Sequence, residues 1–409
     1  MNATNSIGTL KARWPLGALN LRRTDAVHAR PGVLLALFTM GFATFVNLYA
    51  TQPLLPRFRQ LFHASELMVS LTVSAPVLAV ALAAPVVGLL ADRLGRKRVI
   101  VASMLGVAIP TALAATAGNL GQLIVWRFLQ GLFIPGIIAV AMAYISEETP
   151  RPSVGSTMAT YVTGTVVGGF AGRFAAGLIA ARWDWRAAML VLGLATFAGA
   201  LATWRLLPRS TRFMPHANTA ASLQSLRAHL RNPQLLATYA VGFNVLFCLV
   251  GAFTYVNFYL ADEPFCLGPA ALASIFGVYL VGAVVTPVAG RILDRVGCRA
   301  ALVGAAGMAA LGMLLTLAHS LPVVLAGLAI AASAAFTCQS AASSHVGKAA
   351  GEARSSAAGL YVAMYYLGGC FGSVLPGCLW KQTGWWGCAG IMVCVQAVTA
   401  LIANKLWRN

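Results

Sequence analysis

The sequence predicts an all-α membrane protein of twelve transmembrane helices, arranged as two six-helix pseudo-repeats. Three observations predict it. Hydrophobic residues make up 59% of the 409 residues and charged ones only 10%, against roughly 25% charged in a soluble protein. Apolar stretches recur at the length of about 20 residues that crosses a bilayer as a helix. The second half of the chain also repeats the first. Gly88, Asp92, Arg93 and Gly95 recur at an offset of 202 as Gly290, Asp294, Arg295 and Gly297. Tyr161, Val162, Gly168, Gly169, Gly172 and Gly177 recur at an offset of 200, as Tyr361, Val362, Gly368, Gly369, Gly372 and Gly377. Matching residues in the same order make the halves parallel repeats.

The expected spans are 32–51, 67–90, 99–117, 121–145, 155–181, 186–206, 235–260, 269–291, 300–318, 321–344, 355–379 and 386–406. They divide the chain into a tail (1–30), a first bundle (31–208), a polar linker (209–233) and a second bundle (234–409). The tail is basic and lacks the apolar core of a secretory signal. A short amphipathic helix is expected in the linker near 222–230.

The net charge of +19 would suggest nucleic acid in a soluble chain. Its placement suggests a membrane instead. Of the 29 Lys and Arg residues, 22 fall on the side of the termini and the even-to-odd loops. Five fall opposite (Arg57, Arg59, Arg182, Arg186, Lys381), and Arg127 and Arg173 lie inside spans. The positive-inside rule then puts both termini in the cytoplasm, with the lipid bilayer as partner and nucleic acid excluded. The eight cysteines form no metal-like pair and are read as apolar packing residues. No metal or cofactor is expected, and no nucleophile–base constellation points to an enzyme.

Span 1 carries Thr44, Asn47 and Thr51 at helical spacing, a polar stripe expected to face a cavity or a neighbouring helix. Pro53 and Pro56 are expected to end it. In span 4, Arg127 and Gln130 share a face. In span 5, Gly164, Gly168 and Gly172 make a ridge of small residues for close helix contact, next to Arg173. Span 7 sets Asn244, Cys248, Gly251 and Tyr255 on one face. Span 10 does the same with Ser333, Thr337, Ser340 and Ser344.

Residues 88–98, GLLADRLGRKR, resemble the signature loop between the second and third helices of the major facilitator superfamily, with a weaker copy at 290–299. Arg127, Gln130 and Gly131 are similar to its fourth-helix motif. YATQPLLP together with GGFAGR looks like a branch of uncharacterised and arabinose-efflux-like bacterial transporters. The resemblance implies a central site lined by helices 1, 4, 7 and 10, rocking between two facing states, and the monomer as the default. It also implies a cytoplasmic latch of Gly88, Asp92, Arg93, Gly95, Arg96 and Lys97, echoed by Gly290, Asp294 and Arg295, with Asp92 against the amides that open span 11. The chain departs from the family's fifth-helix antiporter motif, because Gly172-Arg173 stands where a Gly-Gly pair is expected and the motif's proline is missing.

None of the ten acids lies mid-span, whereas a proton-coupled carrier often uses an intramembrane carboxylate. The two intramembrane charges are both cations, each costing about 2.5–3.5 kcal/mol to insert. Three readings offset that cost: bonds to backbone carbonyls and polar side chains, a coupling role for Arg127, or an anion bound at Arg173. His345 is expected to be structural. The expected substrate cavity residues are Thr44, Asn47, Thr51, Arg127, Gln130, Arg173, Asn244, Tyr255 and Ser340. The expected function is export of a small organic solute by proton antiport across the cytoplasmic membrane. The alternative is an importer or exchanger of an organic or inorganic anion.

Overall fold

The computed structural model describes residues 31–150, 153–210, 229–349 and 354–407. Within these, the side chains of 88–93, 282–283, 286–294 and 354–356 lie outside the described residues, as do the tail 1–30 and most of the expected linker helix. The elements are α1 (Pro31–Leu48), α2 (Leu55–Leu61), α3 (Glu66–Leu94), α4 (Arg96–Ala114), α5 (Leu120–Glu148), α6 (Val154–Arg182) and α7 (Trp185–Leu206) in the first half. The second half holds α8 (Pro233–Ala261), α9 (Pro269–Ile275), α10 (Val278–Leu315), α11 (Leu321–Ala349) and α12 (Arg354–Leu406). Two of these are double spans. α10 breaks at Gly297 and α12 at Gly384, both at positive φ. Ten stretches of the described residues are long and apolar enough to cross a membrane, one of them the 50-residue Ala357–Leu406 that turns at Gly384. With α9 and the start of α10 between them, they make the twelve spans.

Short polar turns reverse the chain, and their residues cap the helices that follow. Ser65, Asn119, Asp184 and Asn232 each accept a hydrogen bond from an amide of the first helical turn, worth about 1 kcal/mol apiece. Between α3 and α4 the reversal takes one residue, Gly95 at φ +87°, matched at Gly297 by φ +82°. That conformation favours glycine over any side chain, which explains why the repeat keeps glycine at both places. Spans alternate in direction, so Pro31 and Trp407 lie at one end, here termed the near end. Gln234 Nε2 donates to the Leu406 carbonyl there at 2.8 Å.

Span 1 departs from expectation. α1 stops at Leu48, a 3-10 turn covers Gln52–Leu54, and α2 resumes to Leu61. Pro53 and Pro56 sit in the first positions of those two short helices, where proline's missing N–H costs nothing. They restart the helix after a bend and do not end it.

The glycine ridge does what its spacing predicts. A Cβ added at Gly164, Gly168 or Gly172 would run into the backbone carbonyls of Phe38, Phe42 and Val46 on α1. In the other half Gly368 and Gly372 meet the carbonyls of Phe243 and Phe247 on α8 in the same way. Backbones this close leave no room for a methyl group, so these helix pairs are the fixed struts of each half. Gly168→Val is therefore expected to cost more than the usual 1–3 kcal/mol of overpacking and to abolish a monodisperse peak in detergent chromatography. Gly155→Ala, in open space on the same helix, is expected to leave the peak unchanged.

Candidate substrate cavity

A cavity of about 420 Å³ lies between the halves, within the range of about 300–1,000 Å³ that holds small-molecule ligands. α1 supplies Phe45, the turn just after it supplies Tyr49, and α6 supplies a strip from Val162 to Arg173. The second half contributes Leu246, Leu249 and Val250 of α8, Tyr279 of α10, Gln339 and Ser340 of α11, and Tyr365 and Tyr366 of α12, among others. The lining is mostly aromatic and aliphatic, with neutral hydrogen-bonding groups on the α11 side. Tyr365 Oη donates to Gln339 Oε1 at 2.7 Å, which fixes both. Among the described lining residues Arg173 is the charged one.

Arg173 is 4% exposed. Its Nε donates to Gln52 Oε1 at 2.7 Å and its Nη1 to the Gly169 carbonyl at 2.5 Å. The rings of Tyr49, Phe276 and Tyr279 have their centroids 4.7, 4.9 and 4.8 Å from its Cζ. Each such cation–π contact is worth about 0.5–2 kcal/mol, and together they offset the cost of insertion. Arg173 makes no ion pair among the described residues.

Arg127 has a different setting. Its Nη1 and Nη2 donate to the carbonyls of Asn47 (2.8 Å) and Leu48 (2.5 Å), the last turn of α1. Its Nε donates to the Thr72 carbonyl at 3.0 Å, and Nη1 also meets Gln130 Oε1. The Thr72 carbonyl is free because its helical partner four residues on is Pro76, which has no N–H. Arg127 thus caps one helix end and fills the gap a proline leaves in another. That is the carbonyl-bonding reading, and it places Arg127 and Gln130 away from the cavity.

Most of the other expected cavity residues also need correcting. Thr44 bonds the Met40 carbonyl, Asn47 bonds Thr196 of α7 at 2.7 Å, and Thr51 lies 3.4 Å from the Thr72 carbonyl. All three are fully buried within the first half. Asn244 donates to Thr399 at 3.0 Å within the second half, and Tyr255 donates to the Ser373 carbonyl at 3.0 Å and reaches Ser70 of the first half at 3.4 Å. Of the nine candidates, Arg173 and Ser340 line the cavity. The face of α1 that meets it is the Phe45–Tyr49 face, because the polar stripe is spent on neighbouring helices. The expected lining by helices 1, 4, 7 and 10 is met by 1, 7 and 10. Helix 4 is held off by Gly131, which packs on the backbone of Pro76. His345 is structural: it stacks on Trp407 at 4.1 Å and pairs with Thr238 at 2.9 Å.

At the end away from the termini the halves are joined. Arg59 pairs with Asp262 by two bonds of 2.5 and 3.0 Å and with Glu66 at 3.0 Å. Gln52 Nε2 donates to Thr254 at 3.3 Å, and Ser74 meets Cys370 Sγ at 3.1 Å. At the near end, Gly88, Asp92, Arg93, Gly290 and Asp294 lie outside the described side chains, and so does the contact proposed between Asp92 and span 11. Arg96, 7% exposed, forms a two-point ion pair with Glu147 at 2.7 and 3.1 Å, tying α4 to α5 within one half. Lys97 is half-buried and Arg295 exposed.

A cavity shared by two repeated six-helix bundles, sealed at one end, defines a membrane carrier. The Major Facilitator Superfamily sequence model matches residues 37–373 and 263–408, and the chain belongs to that superfamily. It is 32% identical over 380 residues to the inner membrane transport protein YnfM of Escherichia coli, covering 92% of this chain and 91% of that one. It is 31% identical over 228 residues to the multidrug resistance protein MdtG of Salmonella typhimurium, about half of each chain (53% and 54%). The crystal structure of the nucleoside transporter NupG superposes with a TM-score of 0.77 at 16% identity, over 92% of this chain and all of that one.

Proposed function

We propose that the protein is a secondary carrier that exports a small organic solute across the cytoplasmic membrane by alternating access, in exchange for protons. The observation that carries this reading is the cavity itself, built from both halves and lying on the near-end side of the Arg59–Asp262 seal. The sequence assigns 22 of the 29 basic residues to the tail, the C-terminus and the even-to-odd loops, and the positive-inside rule turns that side to the cytoplasm. The aromatic and aliphatic lining suits an apolar solute, and the half-chain likeness to a multidrug resistance protein supports export. A cationic solute is disfavoured. At ~5 Å from Arg173 and an effective dielectric constant of about 20, repulsion amounts to about 3 kcal/mol.

The test uses everted vesicles carrying the protein and a pH-gradient dye. A small aromatic solute is expected to restore dye fluorescence, and the vesicles with Gly168→Val should not respond. Absence of dye recovery and of labelled-solute flux across sugars, amino acids, organic acids and hydrophobic drugs would defeat the export reading. The second reading, import or exchange of an anion, is favoured by Arg173, a cavity cation without a carboxylate partner among the described residues.

A further inference from the structure

We infer that Arg173 anchors a subsite for an organic monoanion with a planar apolar body, whose carboxylate meets the guanidinium and whose body lies against the aromatic lining. This rests on the carrier reading and names its substrate class.

The guanidinium has three nitrogens that donate. Nε and Nη1 are taken by neutral acceptors, Gln52 Oε1 and the Gly169 carbonyl. Nη2 has no hydrogen bond to the described residues, although the side chain is 96% buried and lines the cavity. A guanidinium donor left over at a cavity wall can take an acceptor from a ligand, and a carboxylate is the acceptor whose geometry and charge suit guanidinium best. Tyr49, Phe276 and Tyr279 steady the cation through their ring faces and bring no negative charge. The empty cavity therefore keeps a full positive charge that a ligand can neutralise.

The rest of the wall fixes the remainder of the ligand. Phe45, Phe170, Phe336, Leu246 and Val250 present apolar surface, which takes a ring or chain and offers an inorganic ion nothing. On the α11 wall, Gln339 and Ser340 can hydrogen-bond one neutral polar group. With one cation and no second basic side chain among the described lining, a dianion would leave a buried charge unpaired, at a large desolvation cost. The class is therefore a monocarboxylate.

The experiment measures binding, not flux. Purified protein in nanodiscs is titrated with 2-naphthoate, with its neutral alcohol 2-naphthylmethanol, with 2-naphthylmethylamine and with 2,6-naphthalenedicarboxylate, by equilibrium dialysis of the labelled probes. The naphthoate is expected to bind at least tenfold more tightly than the alcohol and the dianion, and the amine weakest. Arg173→Gln should erase the preference for naphthoate over alcohol, and Arg173→Lys should keep part of it. The wild-type comparison stands even if the glutamine variant does not fold. Equal binding of naphthoate and alcohol to the wild type, including no binding of either, overturns the proposal, and so does a preference that survives in Arg173→Gln. Since vesicle flux of neutral solutes is measured separately, loss of the anion preference leaves the carrier reading standing, and loss of all flux does not touch the binding result.

Discussion

Arg127→Met is expected to unfold the first half at markedly lower temperature. The substitution keeps the length of the side chain but removes the guanidinium donors from the carbonyls of Asn47, Leu48 and Thr72, leaving Asn47 with the Ala50 amide at 3.3 Å and Thr72 with the Thr51 hydroxyl at 3.4 Å. A buried acceptor left unmet costs about 1–3 kcal/mol; Leu48 bears that cost in full and the other two, held by long bonds, bear part of it. Arg127→Lys should recover little, because an ammonium group cannot reach three separated carbonyls at once with a planar fork. Pro76→Ala should soften the loss. It returns an N–H to the Thr72 carbonyl and leaves one acceptor fewer for Arg127 to satisfy. Thermal unfolding of the wild type, Arg127→Met, Pro76→Ala and the double variant in one detergent, read as a double-mutant cycle, checks this. Equal melting of Arg127→Met and the wild type would sink the capping account.

The second large effect is conformational. Arg59→Asp would set a third carboxylate beside Glu66 and Asp262, where a cation now joins them. Both carboxylate partners are partly solvated, so the single ion pair is worth modest energy. Reversing the charge adds repulsion, and a change of about 1.4 kcal/mol already shifts the two facing states tenfold. Cys370 reports the shift, since it is buried against Ser74 at the junction of the halves. In a background where the other seven cysteines are alanine, an impermeant maleimide added on the Arg59 side should label Cys370 at least tenfold faster in Arg59→Asp. The swap Arg59→Asp with Asp262→Arg should slow it again. Unchanged labelling would mean that the Gln52–Thr254 and Ser74–Cys370 contacts hold the seal without Arg59.

The fold was legible because its determinants are one-dimensional. Span lengths, the offset repeat and the Gly164–Gly168–Gly172 spacing each follow from the period of a helix and the thickness of a bilayer. Helix ends fell within a few residues of expectation, except at Leu48, where prolines that look like terminators act as initiators, and in the expected span 269–291, which breaks between Ile275 and Val278. The site was less legible. Periodicity shows that Thr44, Asn47 and Thr51 share a face, but not whether that face meets a cavity or a neighbouring helix. Thr196, 149 residues from Asn47, decides it. The aromatic lining gave no signal, since Phe45 and Tyr49 look the same in sequence as residues that face lipid. Arg173 was visible because a charge within an apolar span has to be compensated. Its compensation by three rings from both halves was not, because Phe276 and Tyr279 lie more than 100 positions away in the chain.

The absence of acids from the middle of every span gives Arg173 an electrical meaning. A site that holds one fixed cation and, among its described lining, no carboxylate is charged without a ligand and neutral when a monoanion fills it. Alternating access moves the barrier past the site, so the site's charge crosses part of the membrane field at each turn. A full elementary charge crossing 100 mV is worth about 2.3 kcal/mol. The loaded carrier would therefore reorient at the same rate at any voltage, and the empty one would be drawn toward the negative side. The membrane potential would then act as a return spring on the unloaded protein alone.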